Sequence, residues 1–168
     1  MEKKKFKIKY LDNYPKNAPK VMMPREDDIG IDLIAAEDLF IPEGTAGLIS
    51  TGISIELPEG YWLQLLDRSS ISNNCHIMAG IIDTSYTGEI LIRMYCHRGA
   101  FTCTCTIPQT EGMNIQSLIE VKGFPIKEEM RIAQGIIRKN YNSEFEIEEV
   151  DHLSRTERDD KGFGSTDV

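Results

Sequence analysis

Long hydrophobic runs are missing from this chain of 168 residues. The longest apolar stretches, such as residues 90–92, are far too short to cross a bilayer, so no membrane-spanning helix is expected. The lysines near the N-terminus lead into an alternating pattern and not into an apolar segment, which argues against a secretory signal. We therefore expect a cytoplasmic protein without a membrane partner.

Positive charge is also scarce. The chain has 19 lysines and arginines against 27 aspartates and glutamates, which gives a formal net charge of −8. Broad binding of duplex or single-stranded nucleic acid requires a basic surface, so nucleic acid is not an expected partner. A small anionic ligand held by a few well-placed arginines remains compatible with this composition.

Cysteine is too sparse for a disulfide framework, and a chain of this length can bury a sizeable core without one. The four cysteines are Cys75, Cys96, Cys103 and Cys105. Zinc is an alternative because His76 and His97 are near these thiols in the sequence. The paired spacing of two cysteines separated by two residues, which is common in structural zinc sites, is absent. We favour reduced, partly buried thiols.

Helical periodicity is nearly absent too, and alternation with a period of two residues dominates. For example, Phe6, Ile8 and Tyr10 fall on one face of a predicted strand. The predicted strands cover residues 5–11, 46–49, 53–57, 61–66, 90–95, 101–107, 132–139 and 145–150. Turn signals separate them at residues 42–44, 58–60, 87–88 and 122–123. We expect one all-β domain built as a sandwich, jelly roll or barrel.

One short helix and one arm complete this organisation. The helix is predicted to begin at Ser69 or Ser70, either of which could cap it, and to continue to Asn74. The polar stretch 155–168 is interpreted as a mobile arm. Its Phe163, between two glycines, could lay one ring on a flat ligand; the alternative is an unstructured tail.

Arg68 stands directly before the two serines of the predicted helix. Backbone N–H groups at a helix N-terminus attract anions, and an arginine adds two parallel hydrogen bonds to phosphate oxygens. This pattern therefore indicates phosphate binding. The alternative is a capped turn with a surface arginine.

A second candidate is at the end of an apolar strand, where Asp83 is followed by a turn containing Tyr86 and Gly88. A carboxylate at a strand end beside a phosphate site can take a proton from water as a general base. The alternative is that Asp83 only caps the turn.

Taken together, five segments resemble the five ordered motifs of the trimeric dUTP diphosphatases, or dUTPases. In order they are Ile29-Gly30-Ile31-Asp32-Leu33, Arg68-Ser69-Ser70, Gly80-Ile81-Ile82-Asp83 with Tyr86 and Gly88, Arg131-Ile132-Ala133-Gln134, and Arg158 with Gly162-Phe163-Gly164-Ser165-Thr166. The resemblance covers nearly the whole chain, and five motifs in the family order are far more specific than one.

This resemblance implies an all-β, jelly-roll β-barrel with one short helix and a flexible C-terminal arm. The barrel would span residues 1–152, and the arm, residues 153–168, would close the active site. Three chains would form a homotrimer in which each active site takes residues from all three. Additional residues between the third and fourth motifs, within about 97–121, would form an insertion of the kind that phage- or virus-type members carry. Such an insertion could contact another protein; the alternative, which we favour slightly, is a passive surface hairpin.

The implied reaction is Mg²⁺-dependent hydrolysis of dUTP to dUMP and pyrophosphate, by attack of water at the α-phosphorus. Such a reaction keeps uracil out of DNA and supplies dUMP for thymidylate synthesis. If a virus or phage encodes the chain, the host cytoplasm would be its location.

The resemblance also implies a role for each matching residue. Asp83 would activate the water, and Asp32 would orient a water on a Mg²⁺ ion held mainly by the substrate phosphates. The implied phosphate ligands are Arg68, Ser69, Ser70, Gln134, Arg158, Ser165 and Thr166. The implied nucleoside contacts are Gly80, Ile81, Ile82, Asp83, Tyr86, which would pack under the deoxyribose, and Phe163, which would close over uracil.

Some positions depart from the family pattern. Asp67 stands where proline or glycine is expected, Met78 replaces a smaller residue, and Asp159 and Lys161 replace glycines in the arm. Two other functions remain open. One is a regulator that binds a protein partner through the insertion, and the other is a related deaminase acting on dCTP. A deaminase would need a carboxylate and a proton shuttle at the pyrimidine C4, and the sequence identifies neither.

Overall fold

The structure, a computed structural model, describes residues 3–106, 118–152 and 154, without the side chains of residues 105, 106, 118 and 119. The strands are β1 Lys7–Tyr10, β2 Ile31–Ile34, β3 Leu39–Pro42, β4 Ala46–Glu56, β5 Tyr61–Asp67, β6 Cys75–Ile77, β7 Ile81–Ile82, β8 Glu89–Cys96, β9 Phe101–Thr106, β10 Leu118–Ile126 and β11 Arg131–Lys139. The helix α1 spans Ser69–Ser72, and a 3₁₀ turn spans Asn142–Glu144. No helix in the described part of the chain is long and apolar enough to span a bilayer.

The strands form three antiparallel sheets. One sheet has the order β1-β4-β8-β6, a second has the order β2-β11-β5-β7, and a three-stranded sheet has the order β3-β10-β9. This architecture confirms the expected all-β fold with one short helix. Many strands that are adjacent in these sheets are far apart in the sequence, so the sequence alone does not predict the strand order.

Alternation along the strands produces the core. In β8, for example, Ile90, Ile92 and Met94 are buried, whereas Leu91 and Arg93 face outwards. The largest fully buried apolar side chains are Leu33, Ile41, Ile49, Ile53, Leu63, Ile71, Ile90, Ile92, Met94, Ile126 and Ile132. Full burial of such a side chain stabilises the fold by roughly 1.5–3 kcal/mol, so this apolar core is the main source of stability.

Two predictions about the chain's regular structure are wrong. Residues 145–150 do not form a strand; Phe145 is 78% exposed and Ile147 is fully exposed, so their alternation has no core to face. Gly123 is not in a turn but inside β10, where it pairs with Pro42 on one side and Phe101 on the other. A Cβ there would lie 2.4 Å from the Ile41 carbonyl oxygen, so this glycine permits close strand approach.

The predicted serine cap of α1 is also wrong. The N-cap residue is Arg68, whose side chain makes no capping hydrogen bond, and both Ser69 and Ser70 lie inside the helix. The amide groups of Ile71 and Ser72 donate to the Arg68 carbonyl oxygen over 2.9 and 3.0 Å. The helix therefore begins at Ser69, as predicted, but its cap is Arg68 at the junction between β5 and α1, and it ends at Ser72 and not at Asn74.

The buried cysteines face each other across two strands. Cys75 of β6 is paired with Cys96 of β8, and both are fully buried. Burial raises the pKa of the Cys75 thiol to about 12, with smaller contributions from Cys96 and from the charge of Asp67. Within the described residues, no group of three or more histidines, cysteines or acids is arranged to hold a metal ion, so the zinc alternative gains no support.

Residues 46–56 form one strand where the sequence predicted two, and an irregularity explains the break. Between Ser50 and Ser54 the register of β4 against β8 shifts. The side chain of Glu89, in β8, is hydrogen-bonded to this irregular part of β4. One oxygen of Glu89 accepts hydrogen bonds from the Ser50 hydroxyl, from the Gly52 amide at 2.9 Å and from Asn13 at 3.3 Å. Gly52 has a positive φ of 65°, which favours glycine.

These hydrogen bonds determine the ionisation of Glu89. Burial alone raises the pKa of its carboxyl, but hydrogen bonds from Ser50, Gly52 and Asn13 favour the ionised form and bring the pKa below its usual value of 4.5. The ionised carboxylate therefore stabilises the irregular part of β4.

We expect Glu89→Gln to lower the free energy of unfolding by about 1–2 kcal/mol at neutral pH, because a neutral amide oxygen accepts the same bonds more weakly. Since the folded pKa is lowered, the stabilisation is complete above 4.5 and is lost as the pH falls through the folded pKa. The free energies of unfolding of the wild type and of Glu89→Gln, measured by urea unfolding at one protein concentration, should therefore converge at acidic pH.

Glu59→Gln, in an exposed turn, is the matched control and should change little at any pH. A Glu89→Gln deficit that stays constant down to about pH 3 would contradict a role for the ionised carboxylate.

Candidate active site

Three adjacent strands bring the residues of the first, second and fourth motifs together. In the sheet β2-β11-β5-β7, Asp32 of β2 is opposite Gln134 of β11, which is in turn opposite Leu66 of β5. Directly opposite residues in adjacent strands point to the same face of a sheet. Asp32 and Gln134 therefore share one face, and Arg68 follows the end of the third strand.

Asp32 lies between two guanidinium groups. One carboxylate oxygen is ion-paired with Arg68, whose side chain is only 23% exposed. The other is 3.5 Å from a guanidinium nitrogen of Arg131, whose side chain is 60% exposed. Two positive charges surround one negative charge, so this cluster carries a net positive charge in an otherwise acidic protein.

Arg131 reaches Asp32 because of a β-bulge. The register of β11 against β2 shifts between Arg131 and Ala133, and both Ile132 and Ala133 are buried. In a regular strand, Arg131 and Gln134 would point to opposite faces because they are three positions apart. The extra residue in the bulge places both beside Asp32. Arg131 was not among the sequence-predicted site residues, although it opens the fourth motif.

A pocket of about 230 Å³ opens next to this cluster. Asp32 and Arg131 line it together with residues 19–25 of the loop between β1 and β2, of which Lys20 and Arg25 add positive charge, and Asp28 adds a negative charge. Gly30 is also in the lining, and a Cβ there would lie 3.1 Å from the Cβ of Gln134. The glycine therefore leaves room for the amide side chain.

Ser69 and Ser70 are exposed at the start of α1, directly after Arg68. Their hydroxyl groups are therefore open to solvent next to the arginine. The structure thus brings the predicted phosphate ligands Arg68 and Gln134 to Asp32, and the predicted ligands Ser69 and Ser70 follow Arg68 in the chain.

The third motif forms a separate hairpin beside β5. Ile81 and Ile82 of β7 pair with Gln64 and Leu63 of β5, and the Leu65 amide donates to the Gly80 carbonyl oxygen over 2.7 Å. A Cβ on Gly80 would lie 2.6 Å from the Leu65 carbonyl oxygen. Glycine at this position is therefore required for the close contact between the hairpin and β5.

Tyr86 is fixed at the tip of this hairpin. Its hydroxyl donates to the Glu89 carbonyl oxygen over 2.8 Å, and its ring lies so close to Gly88 that a Cβ there would be 2.6 Å from the hydroxyl. The exposed Asp83 and the half-exposed Tyr86 ring line a pocket of about 180 Å³, together with Ile81 and Leu91. The hairpin thus places a carboxylate and an aromatic ring in one concave surface.

The two groups of residues do not meet within one chain. Ile82 is opposite Leu63, so Asp83 is level with residue 62 of β5, whereas Arg68 follows the other end of that strand. Residues 62 and 68 are six positions apart, which is roughly 20 Å at ~3.3 Å per residue. The phosphate cluster and the Asp83 hairpin are therefore at opposite ends of β5.

The predicted arm residues Arg158, Phe163, Ser165 and Thr166 lie outside the described residues. The remaining predicted site residues all fall into one of the two groups.

The dUTPase family model matches residues 16–107, which is more than half of the chain. The chain belongs to the dUTPase family. A curated relative from Gloeothece citriformis, a deoxyuridine 5'-triphosphate nucleotidohydrolase, is 38% identical over 144 residues, which cover 83% of each chain. This membership confirms the expected enzyme class, dUTP diphosphatase.

Solved dUTPase structures show the same fold. The dUTPase of Staphylococcus bacteriophage 80alpha with dUpNHpp superposes with a TM-score of 0.75 at 26% identity, covering 99% of this chain and 100% of that one. A mutant dUTPase from phage phi11 of S. aureus, whose structure describes a structural Mg(II) ion, has a TM-score of 0.67 at 23% identity, covering 89% of this chain and 99% of that one. The expected jelly-roll class is confirmed.

We expect Gly80→Ala to reduce kcat/KM for dUTP by at least about tenfold, because the new methyl group would displace the hairpin that carries Asp83. The measurement is steady-state dUTP hydrolysis alongside thermal unfolding. Gly60→Ala is the control: its φ is also strained for alanine, at 78°, but its Cβ would meet no atom within 4 Å.

The control should lose about 1 kcal/mol of stability and keep its kcat/KM. If Gly80→Ala retained wild-type kcat/KM, the proximity of Gly80 to Leu65 would not determine the position of the hairpin.

Proposed function

We propose that this dUTPase hydrolyses dUTP to dUMP and pyrophosphate in a Mg²⁺-dependent reaction, in which water activated by Asp83 attacks the α-phosphorus. The observation that carries the proposal is the pairing of two half-sites: a positive cluster around Asp32 and an exposed carboxylate beside the Tyr86 ring. The presence of dUpNHpp in the similar phage 80alpha structure supports it further.

The positive cluster would bind the phosphates. Arg68 and Arg131 offer guanidinium groups that match phosphate oxygens, and Gln134 offers an amide beside them. A phosphate that approaches Arg68 competes with Asp32 for the same guanidinium. In the absence of substrate, Asp32 therefore holds Arg68 in place, and substrate binding would release its carboxylate. Ser69 and Ser70 would donate hydroxyl hydrogen bonds to the same phosphates.

The donor set fits a Mg²⁺ ion that substrate phosphates bring with them. Asp32 is one carboxylate, and the described residues contain no group of three or more metal-binding side chains that could hold the ion alone. Mg²⁺ keeps several waters and is commonly bound by one or two carboxylates together with phosphates. When bound, it would neutralise phosphate charge, and Asp32 would orient one of its waters.

The hairpin would bind the nucleoside. β7 is the edge strand of its sheet, so one of its edges pairs with β5 and the other pairs with no described strand. On the other side, the backbone groups of Ile81 can read the polar edge of uracil, whereas Gly80 faces β5, where its carbonyl oxygen accepts the Leu65 amide. Tyr86, fixed by its hydrogen bond to Glu89, would support the deoxyribose. Phe163 from the arm would then cover the base.

Asp83 would act as the general base. It is exposed at the end of β7, within the same concave surface as Tyr86, where a water molecule and the α-phosphorus can both reach it. A general base must lie about 2.6–3.2 Å from the atom that gives up its proton. Asp83 and the phosphate cluster of one chain are separated by far more than this distance.

A shared site resolves this separation. If Asp83 of one chain faces Arg68 of another, each substrate bridges two copies of the chain, and a homotrimer provides three such sites by rotation. Exposed apolar side chains support assembly of this kind. Leu48, Met78, Leu91 and Tyr95 are exposed on β4, on β8 and directly after β6, three adjacent strands or their ends. The exposed Arg93, which is opposite Leu48, lies among these apolar side chains. A group of exposed apolar side chains favours an interface between chains.

The proposed domain organisation keeps residues 1–152 as the barrel and residues 153–168 as an arm that supplies Arg158, Phe163, Ser165 and Thr166.

Within the insertion, β9 pairs with β10, and β10 also pairs with β3. The exposed Phe101 on the edge strand β9 favours a second role, in which this hairpin binds a protein partner. Catalysis and partner binding are compatible.

Substrate selectivity tests the proposed reaction. With Mg²⁺, we expect pyrophosphate release from dUTP and at least about a hundredfold less from dCTP, whose base edge has a different pattern of donors and acceptors. UTP and dTTP present the same base edge as dUTP. Their release should be lower by roughly 10–200-fold, because the ribose 2'-hydroxyl would clash with Tyr86 and the thymine methyl group with the hairpin. Chelation of Mg²⁺ should remove the activity. Ammonia release from dCTP would support the deaminase alternative, and inactivity towards all four nucleotides would leave only the partner-binding role.

Two inactive variants test the shared site. Asp83→Asn should bind dUTP without hydrolysing it, and Arg68→Ala should hydrolyse it poorly because it lacks a phosphate ligand. When the two variants are unfolded and refolded together, about one quarter of the sites should contain Asp83 from one chain and Arg68 from its neighbour, so activity should return to about that fraction.

Refolding each variant alone is the control and should restore nothing. If the mixture also stayed inactive although both variants assembled, Asp83 and Arg68 would have to act from the same chain.

A further inference from the structure

Asp67 makes two hydrogen bonds that connect different sheets. It is the last residue of β5, directly before Arg68. One of its carboxylate oxygens accepts the Ile77 amide over 2.7 Å, and the other accepts Nδ1–H of His76 over 2.8 Å. Both donors belong to β6, which lies in the sheet β1-β4-β8-β6, whereas β5 lies in the other four-stranded sheet. Asp67 thus fixes the end of β5 to a strand of the neighbouring sheet.

A second histidine fixes the other end of the same segment. The His97 ring stacks on the His76 ring, with centroids 4.4 Å apart and planes inclined by 13°. Nε2–H of His97 donates to the carbonyl oxygen of Asn73 over 3.2 Å, and Asn73 is the C-cap residue of α1. The residues between these contacts are 68–72. Stacked histidines therefore connect the residue before this segment with the residue after it.

We propose that Asp67, His76 and His97 are positioning residues that fix both ends of segment 68–72 and thereby hold Arg68 in register with the substrate phosphates. The inference rests on the proposed phosphate-binding role of Arg68. It assigns a task to a carboxylate that, next to an anionic substrate, would otherwise weaken binding. Its orientation explains why it does not, because Asp67 is bonded to β6 while Arg68 is bonded to Asp32.

The two bonds contribute unequally. The His76 side chain is 55% exposed, and an exposed ion pair stabilises a protein little. The bond from the Ile77 amide is partly buried and joins a backbone donor to a carboxylate, which makes it the stronger restraint. We therefore expect removal of the carboxylate to have a larger effect than removal of the histidine.

Asp67→Ala removes both bonds, whereas Asp67→Asn can keep both, since its amide oxygen accepts from Ile77 and its nitrogen can donate to the other tautomer of His76. His76→Phe keeps a ring for stacking but loses the bond to Asp67.

The matched control is Asp38→Ala. Asp38 is also bonded to one side-chain donor, Lys127, and one backbone amide, that of Glu128, but it is far from Arg68 in the sequence and in a different loop.

The full-length variants would be compared by KM and kcat for dUTP and by competitive inhibition with pyrophosphate. A misplaced Arg68 binds ground state and transition state equally poorly, so KM should rise more than kcat falls. We expect Asp67→Ala to raise both KM and the pyrophosphate inhibition constant by roughly five- to twentyfold, His76→Phe by less, and Asp67→Asn by less than about twofold.

Asp38→Ala should lower the midpoint of thermal unfolding without changing KM. The proposal is overturned if Asp67→Ala leaves KM and pyrophosphate inhibition unchanged, or if Asp38→Ala raises them equally. Arg68→Ala distinguishes a failure of the proposed phosphate-binding role of Arg68 from a failure of the positioning role of Asp67. If Arg68→Ala binds pyrophosphate as wild type does, the proposed role of Arg68 fails; if it binds weakly while Asp67→Ala binds normally, only the positioning role fails.

Discussion

Strand β11 pairs with β2 on one side and with β5 on the other, and the phosphate cluster depends on this double pairing. It places Asp32 opposite Gln134 and brings the end of β5, with Arg68, to the same region. A slip of one residue in either pairing would turn these side chains to the other face of the sheet. The bulge beside Arg131 adds a second guanidinium without disturbing the register of Gln134. Backbone hydrogen bonding therefore determines the charge distribution of the site.

Much of the secondary structure could be predicted from alternation alone. β8 combines a strict period of two with burial on one face, and the sequence identifies it closely. The sequence also identifies β11 closely, although a bulge interrupts its alternation. The stretch 145–150 has a similar pattern but faces no core. Gly123 is a residue type common in turns, yet here it lies inside β10 and permits β3 to approach closely. Local sequence describes what a segment can form, whereas partners that are distant in the sequence decide what it does form.

The site shows the same division. Five motifs in order predict which residues matter, including Asp32, Arg68 and Asp83. They do not predict that Asp32 is paired with Arg68, because this contact depends on how β2 and β5 are placed around β11. They also do not predict the inclusion of Arg131, which requires a bulge, nor the separation of Asp83 from Arg68 along β5. Both follow only from register and strand direction.

The buried pair of Cys75 and Cys96 joins β6 to β8 immediately behind the histidines that contact segment 68–72. Burial keeps the Cys75 thiol protonated at neutral pH, and a protonated thiol is a poor nucleophile. A thiol reagent can therefore modify it only when β6 separates from β8. The rate of its labelling would report how often this edge of the sheet opens, so the protein contains its own probe of local unfolding next to the phosphate cluster.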